Sequence, residues 1–167
     1  MKIAIISDTH DNLANTQKAA KLIKEENIKK IIHCGDIFKP ETIKEIHKFL
    51  KVEIHIIFSP DDADFSKIPK DSFKNIKGIK IWKEFGEVFW GGKKIAFCHF
   101  PEIAEKLADS QKYDLVFYGH THKPWESKTD KTRIVNPGNI AGLFYKPTFA
   151  VYDAENDNLK LKILEKL

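Results

Sequence analysis

The chain has 167 residues, of which 42% are apolar and 31% are charged. This length fits one domain, residues 1–167, and the composition is typical of a soluble globular protein. The net charge of +4 is small and the basic residues are scattered, so we expect no nucleic-acid partner. No apolar run is long enough to cross a membrane, and Asp8 comes too early for a secretory signal, which together predict a cytoplasmic protein without a membrane partner.

Short apolar runs, rich in Ile, Val and Phe, each stop at a cluster of polar residues. They are residues 3–6, 31–34, 54–58, 95–98 and 115–118. Runs of this kind are typical of strands that are buried on both faces. Helical patterns lie between several of them: Asn12 would cap a stripe formed by Leu13, Thr16, Ala20 and Ile23, and Pro40 and Pro101 each suit a first helical position. The alternation predicts a parallel sheet with right-handed crossovers.

Other segments have the pattern of antiparallel hairpins. Residues 88–90 lead through Gly91 and Gly92 into the run that starts at Ile95, and residues 149–152 turn back into an alternating stretch at 159–163. Residues 60–78 indicate a surface loop. Together these patterns predict a mixed α/β sandwich with helices outside. The cysteines, Cys34 and Cys98, are interpreted as buried thiols.

Each of the five apolar runs ends in a candidate metal ligand or an acidic cluster. These residues are Asp8, His10, Asp36, Asp61, Asp62, His99, His120 and His122. Ligands bind at the carboxyl ends of strands in open α/β sheets, so one rim should collect them. Taken singly, each motif reads as a cap, a turn or a buried histidine, but those readings do not explain the shared position. Mixed carboxylate and imidazole ligands suit zinc, manganese, iron or nickel better than magnesium or calcium.

The order of these motifs resembles the calcineurin-like metallophosphoesterases, in particular their small single-domain bacterial and archaeal phosphodiesterases. The motifs are Asp-x-His at 8–10, Gly-Asp at 35–36, His99, Gly-His-Thr-His at 119–122 and Asn-Pro-Gly at 136–138. The resemblance runs from Ile3 to about Asp153. It implies a four-layer α-β-β-α sandwich with mixed sheets.

The resemblance also implies a dinuclear metal centre and a metal-dependent phosphodiesterase. By family role, Asp8, His10 and His122 would hold one divalent ion, His99 and His120 would hold the other, and Asp36 would bridge the two. The ions would be manganese, nickel, iron or zinc. A metal-activated water would attack a small phosphodiester or phosphoester substrate.

One motif departs from the family pattern. Where the family has Gly-Asn-x-Asp, this chain has Ser59-Pro60-Asp61-Asp62, and a proline side chain cannot bind a metal. Three alternatives stay open: Asp61 replaces the asparagine, water or a carbonyl fills the slot, or turnover is lost. We favour the first, with Asp62 supporting the site, so both aspartates are catalytic candidates.

The rim offers three candidate substrate contacts, Asn12, Lys39 and Phe100, for which ordinary surface packing is the alternative. Two other functions are weighed against a phosphodiesterase. The altered motif motivates a catalytically weak or inactive scaffold that binds a partner chain, although the intact rim histidines argue against it. A repair nuclease would need capping regions and a basic stripe that this chain lacks. Homo-oligomerisation is left open.

Overall fold

The structure is a computed structural model that describes residues 1–58, 72–73 and 76–166. In this part of the chain the strands are β1 (Lys2–Ile6), β2 (Lys30–His33), β3 (Glu53–Ile57), β4 (Ile79–Trp82), β5 (Phe85–Trp90), β6 (Lys93–Cys98), β7 (Leu115–Phe117), β8 (Trp125–Thr129), β9 (Thr132–Asn136), β10 (Thr148–Asp153) and β11 (Asn158–Ile163). The motif at residues 59–62, with the candidates Asp61 and Asp62, lies outside the described residues.

The strands form two mixed sheets. One has the order β11-β10-β1-β2-β3-β4, in which β1 to β4 run parallel and β10 and β11 are antiparallel. The other has the order β5-β6-β7-β9-β8, with β6, β7 and β9 parallel and antiparallel strands at both edges. The predicted hairpins are therefore present as β5–β6 and β10–β11, whereas β4, β8 and β9 were not recognised in the sequence.

Three α-helices of the described chain begin where the sequence placed them. They are α1 (Leu13–Glu25), α2 (Pro40–Leu50) and α3 (Pro101–Asp109), and a 3-10 turn follows β11 at Leu164–Lys166. The side chain of Asn12 caps α1 by accepting a hydrogen bond of 3.1 Å from the Asn15 amide. The prediction for Leu13 was wrong: its side chain is 52% exposed, because the apolar stripe that packs inward starts only at Thr16.

Strand β1 shows why the apolar runs of the sequence are continuous. Successive side chains of a strand point to opposite faces. Ala4 and Ile6 pack on the side of α1 and α2, and Ile3 and Ile5 pack on the side of the second sheet. Because both faces are covered, each residue of the run is buried.

Three apolar clusters separate four layers. The first lies between α1, α2 and the six-stranded sheet and includes Ile23 and Ile43. The second lies between the two sheets and includes Phe97 and Tyr152, and the third packs α3 through Ala104 onto the five-stranded sheet. This is the α-β-β-α sandwich that the resemblance implied. Within the described residues, no helix is long and apolar enough to span a membrane.

The two sheets bring the carboxyl ends of β1, β2, β6 and β7 to a common edge. Backbone hydrogen bonds join the loops there: the Asp8 amide donates to the Gly35 carbonyl at 3.0 Å, and the Gly119 amide donates to the His99 carbonyl at 3.0 Å. The Ile140 amide donates to the Ser7 carbonyl at 3.0 Å. The rim is therefore a single surface built from both sheets.

Candidate metal centre

A compact group of carboxylates and imidazoles lies at this edge. One potential ligand atom from each of four residues falls within 4.8 Å of all the others; these residues are Asp8, His10, Asp36 and His122. They come from the loops after β1, β2 and β7, far apart in the chain. Two carboxylates and two imidazoles at this separation are a suitable donor set for a divalent transition metal.

Asp36 faces two groups of histidines at once. Its Oδ2 atom lies 3.3 Å from Nε2 of His10, and its Oδ1 atom lies 3.5 Å from Nε2 of His99. The carboxylate therefore stands between the four-residue group and a second pair of imidazoles. Each oxygen of this carboxylate faces a different group of imidazoles.

The second pair of imidazoles is His99 and His120, whose ring centroids are 5.1 Å apart. Nδ1 of His99 lies 2.9 Å from the carbonyl oxygen of Cys34, to which it donates a hydrogen bond. This contact leaves the lone pair of His99 on Nε2, the atom that faces Asp36. Such outer hydrogen bonds are a general feature of metal-binding histidines.

Two buried polar atoms of the rim lack hydrogen-bond partners, as is expected of atoms that would bind a metal ion. Asp8 Oδ2 and His99 Nε2 are two of the five buried side-chain atoms in the described residues that have no hydrogen-bond partner. An unpaired buried carboxylate oxygen is costly, because its desolvation is not compensated. A cation beside these two atoms would remove that cost, so the residues present fit metal ions.

Asp8 is held as a carboxylate. Burial by itself would raise the pKa of Asp8, but the hydrogen bond with His122 brings that pKa below its ordinary value. Oδ1 of Asp8 lies 3.4 Å from Nε2 of His122 and accepts a hydrogen bond of 3.2 Å from the His120 amide. The hydrogen bond to Asp8 raises the pKa of His122, whereas burial lowers the pKa of His120.

The ligand candidates have an unusual backbone conformation. Positive φ angles are uncommon outside glycine, although aspartate and histidine tolerate them better than most residues. Five rim residues adopt such angles: Asp8 (51°), His10 (39°), Asp36 (60°), His120 (66°) and His122 (59°). The left-handed turns occur directly after the strands and orient the side chains toward one another.

Two glycines permit the close approach of the loops. A Cβ atom on Gly35 would lie 2.6 Å from Nδ1 of His99, and one on Gly119 would lie 2.8 Å from Oδ2 of Asp8. Neither space can take a methyl group without moving a candidate ligand. The glycines of the Gly-Asp and Gly-His-Thr-His motifs are thus explained by packing against the candidate ligands.

Buried amides support the loops from behind. Asn136 donates to the Gly119 carbonyl at 2.8 Å and to the Thr121 hydroxyl at 3.0 Å, and Asn139 donates to the His122 carbonyl at 3.1 Å. The Asn-Pro-Gly segment therefore positions the loop that carries His120 and His122. Its isolated sequence indicated only a turn.

The three candidate substrate contacts surround the rim in different ways. Phe100 packs against the rings of His99 and His120 with centroid distances of 4.8 and 4.9 Å. Lys39 is exposed just before α2, and Asn12 donates to the Ala141 carbonyl at 2.9 Å besides capping α1. Phe100 is therefore in direct contact with the histidines, while the amide of Asn12 is engaged by the protein.

Sequence reasoning missed one aromatic residue at the rim. The ring of Phe144 lies 5.7 Å from the ring of His122, and its side chain is 91% exposed. The only local signal is the apolar triplet 143–145, which follows the Asn-Pro-Gly motif and belongs to no strand. An apolar triplet that no strand or helix pattern explains would have been the signal in the sequence.

Comparison with known protein families gives one match that covers most of the chain. Residues 1–157 match the model of the calcineurin-like phosphoesterase superfamily domain. A phosphodiesterase of Methanocaldococcus jannaschii is 34% identical over 168 residues, which cover 99% of this chain and 100% of the relative. A probable metallophosphoesterase of the same organism is 30% identical over 142 residues, covering 83% of this chain and 68% of the relative.

Solved structures agree with this result. The structure of an archaeal phosphodiesterase superposes with a TM-score of 0.85 at 31% identity and covers 98% of this chain and 99% of that chain. A zinc complex of Vps29 from Entamoeba histolytica has a TM-score of 0.67 at 18% identity, with 97% of each chain covered. The second likeness concerns the fold alone.

Proposed function

The chain belongs to the calcineurin-like phosphoesterase superfamily, and from that premise we propose that it is a metal-dependent phosphodiesterase acting on a small phosphodiester or phosphoester. The observation that carries the proposal is the position of Asp36, with one carboxylate oxygen near His10 and the other near His99. A carboxylate placed between two sets of imidazoles is suited to be shared by a pair of divalent ions. The named phosphodiesterase relative supports the same reaction.

We assign the rim side chains to two adjacent metal positions. Asp8, His10 and His122 would hold one ion and His99 and His120 the other, with Asp36 shared between them. The mixture of carboxylate and imidazole favours manganese, nickel, iron or zinc. Bound there, two divalent ions would supply charge neutralisation for the phosphate and an activated water for in-line attack.

The residues of this chain prepare the site by orientation and burial. The Cys34 carbonyl fixes the tautomer of His99, so that Nε2 faces the centre without rearrangement. The amides of Asn136 and Asn139 hold the loop of His120 and His122. Such preorganised groups cost no reorganisation when the phosphate arrives.

Asp61 and Asp62 complete the proposal, although they lie outside the described residues. In our interpretation Asp61 supplies the ligand that Pro60 cannot, and Asp62 supports the site. An added carboxylate makes the second metal position more anionic and its metal a weaker Lewis acid. We therefore expect the enzyme to favour substrates with good leaving groups.

The test is hydrolysis of bis(4-nitrophenyl) phosphate with added manganese or nickel. Replacing the shared carboxylate in Asp36→Asn should lower kcat/KM by more than about 100-fold, because it removes a charge that both metal positions use. Asp130→Asn, an isosteric change at an exposed turn residue, is the matched control and should leave the rate unchanged. Activity that survives both Asp36→Asn and a chelator would refute the proposal, and no turnover with any metal would favour the scaffold function.

We further propose that residues 1–167 act as one cytoplasmic domain. The two sheets share one apolar cluster and the helices cover their outer faces, which supports a single folding unit. Cys34 and Cys98 are both buried free thiols, and burial raises the pKa of each, so neither is activated for reaction. Free thiols are compatible with a reducing compartment.

A further inference from the structure

Three phenylalanines from separate loops surround the candidate metal centre. Phe38 lies 4.8 Å from His10, Phe100 lies 4.8 Å from His99, and Phe144 lies 5.7 Å from His122, measured between ring centroids. Phe38 is 37% exposed and Phe144 is 91% exposed. An almost fully exposed phenyl ring gains little from the fold, because most of its apolar surface still faces water.

The backbone at Phe144 is held in a rare conformation. Its φ angle is 63°, and the Tyr145 amide donates a hydrogen bond of 2.7 Å to the Leu143 carbonyl across it. This is a three-residue turn with a positive φ at the centre, the strained form of the γ-turn. Bulky side chains rarely adopt this region, and such strain persists only where neighbouring contacts enforce it.

One buried amide holds the start of this turn and links it to the candidate metal centre. Oδ1 of Asn139 accepts hydrogen bonds from the amides of Gly142 at 2.5 Å and Leu143 at 2.9 Å, while Nδ2 donates to the His122 carbonyl at 3.1 Å. Asn139 is completely buried. The same side chain therefore positions a candidate metal ligand and the segment that carries the exposed ring.

We propose that Phe144 is a specificity-determining residue that stacks on a planar aromatic group of the substrate. This inference rests on the proposed function and deepens it: the preferred substrates are phosphodiesters with an aromatic ring within reach of the phosphorus. Phe144 stands on the His122 side of the centre, and Phe100 stands on the side of His99 and His120. A phosphate held between them places its ester groups next to one ring or the other.

Binding measurements test the inference without requiring turnover. With manganese-loaded protein, calorimetry should give phenylphosphonate a dissociation constant about tenfold lower than that of methylphosphonate, since both ligands present the same phosphonate and only one presents a ring. Phe144→Ala and Phe144→Leu should remove this preference, and Phe144→Trp should keep it. The leucine variant keeps apolar surface but loses the planar face, so it separates stacking from simple burial.

The matched control is Phe89→Ala. Phe89 lies on β5 and is 72% exposed, so the same substitution removes a similar exposed ring that has no described contact with the metal centre. It should leave the preference intact. A preference that survives Phe144→Ala, or that falls equally in Phe89→Ala, would overturn the inference.

A second pair of ligands identifies the source of the ring. Adenosine monophosphate and ribose phosphate differ only in the nucleobase. A preference for adenosine monophosphate that depends on Phe144 would support nucleotide substrates, whereas dependence confined to phenylphosphonate would support aryl esters. If phenylphosphonate and methylphosphonate bind equally and hydrolysis is intact, the role of Phe144 is rejected and the proposed function stands. If the protein prefers the ring but hydrolyses nothing, the proposed function is rejected.

Discussion

Positive φ angles at aspartate and histidine determine the direction of the rim side chains. A left-handed conformation costs an L-residue roughly 1–2 kcal/mol, so several of them in one small area need compensation. Part of it comes from backbone hydrogen bonds between the loops, such as those from the Asp8 and Thr9 amides to the carbonyls of Gly35 and Asp36. The remaining stabilisation would come from bound metal ions.

The packing at Gly119 gives the first prediction. In Gly119→Ala the new methyl group would conflict with the Ser7 hydroxyl and with Oδ2 of Asp8, because its Cβ would lie 2.8 Å from the latter. We expect a loss of about 1–3 kcal/mol in the free energy of unfolding and a decrease in phosphodiesterase activity. Urea unfolding and the nitrophenyl assay measure the two effects.

The control for this variant is Gly92→Ala. An added Cβ on Gly92 meets nothing within 4 Å, although the φ of 76° imposes a backbone cost of about 1 kcal/mol. This variant should be slightly less stable but fully active. Full activity of Gly119→Ala would show that the loop can yield and would contradict our account of that glycine.

The second prediction concerns His33, a buried histidine beneath the rim. It accepts a hydrogen bond from the Gly35 amide at 3.2 Å and contacts the Thr9 hydroxyl at 3.4 Å. Burial lowers the pKa of His33 to about 3, from 6.5 in the unfolded chain. Above pH 6.5 the His33 side chain is neutral in both the folded and the unfolded state. Below pH 6.5 it gains a proton only in the unfolded state, so the free energy of unfolding decreases as the pH falls toward 3.

The total contribution is at most roughly 5 kcal/mol, from about 1.4 kcal/mol per pKa unit. Urea unfolding between pH 4 and 7 should therefore show a steeper loss of stability for the native chain than for His33→Gln. His47→Gln, at the less buried histidine of α2, is the control and should keep the native slope. Identical slopes for His33→Gln and the native chain would exclude this explanation.

At the level of secondary structure, the start of α1 connects two loops of the rim. Asn12 caps the helix through its Oδ1 atom, and its Nδ2 atom donates to the Ala141 carbonyl. Asn15, in the first turn, donates to the Ile140 carbonyl at 3.0 Å. The helix start therefore ties the loop after β1 to the segment that follows the Asn-Pro-Gly motif.

The third prediction follows from this connection. Asn12→Ala should lower the free energy of unfolding by about 1–2 kcal/mol, because it removes the cap and the hydrogen bond to the Ala141 carbonyl. Asn156→Ala, at an exposed turn residue, should change it by less than about 0.5 kcal/mol. Equal stability of the two variants in urea would show that the cap contributes nothing. A KM that rises in Asn12→Ala and not in Asn156→Ala would support the assignment of Asn12 as a substrate contact.

Across the whole molecule, the candidate metal centre joins the two sheets. Asp8 and Asp36 follow strands of one sheet, whereas His99 and His120 follow strands of the other. A ligand that binds only the folded state stabilises it according to its concentration and affinity. Metal binding at this edge should therefore stabilise the sandwich as a unit.

The fourth prediction is a change in thermal stability with metal. Manganese at 100 times its dissociation constant should stabilise the protein by about 2.7 kcal/mol, which raises Tm by roughly 5–10 °C for a chain of this size. Calorimetry with and without a chelator measures the shift. Asp36→Asn should lose most of the shift and Asp130→Asn should keep it; an equal shift in both variants would place the stabilising metal elsewhere.

Much of the architecture was accessible from local patterns. The continuous apolar runs identified five strands, and Asn12, Pro40 and Pro101 marked the beginnings of α1, α2 and α3. Two of the missed strands, β4 and β8, lie at sheet edges, expose part of their side chains and lack a continuous apolar run. Their pairing is decided by the neighbouring strand, which a local pattern does not describe.

The sequence by itself determined the starts of the three α-helices, most of the strands, the residue types of the rim and the family resemblance, because these depend on residue type and spacing along the chain. Only the tertiary structure decided that Asp36 stands between His10 and His99 and that Phe144 lies beside His122. Those relations arise from the packing of two sheets and from left-handed turns at their ends. Contacts between residues more than a hundred positions apart, as for His10 and His122, have no signature in local periodicity.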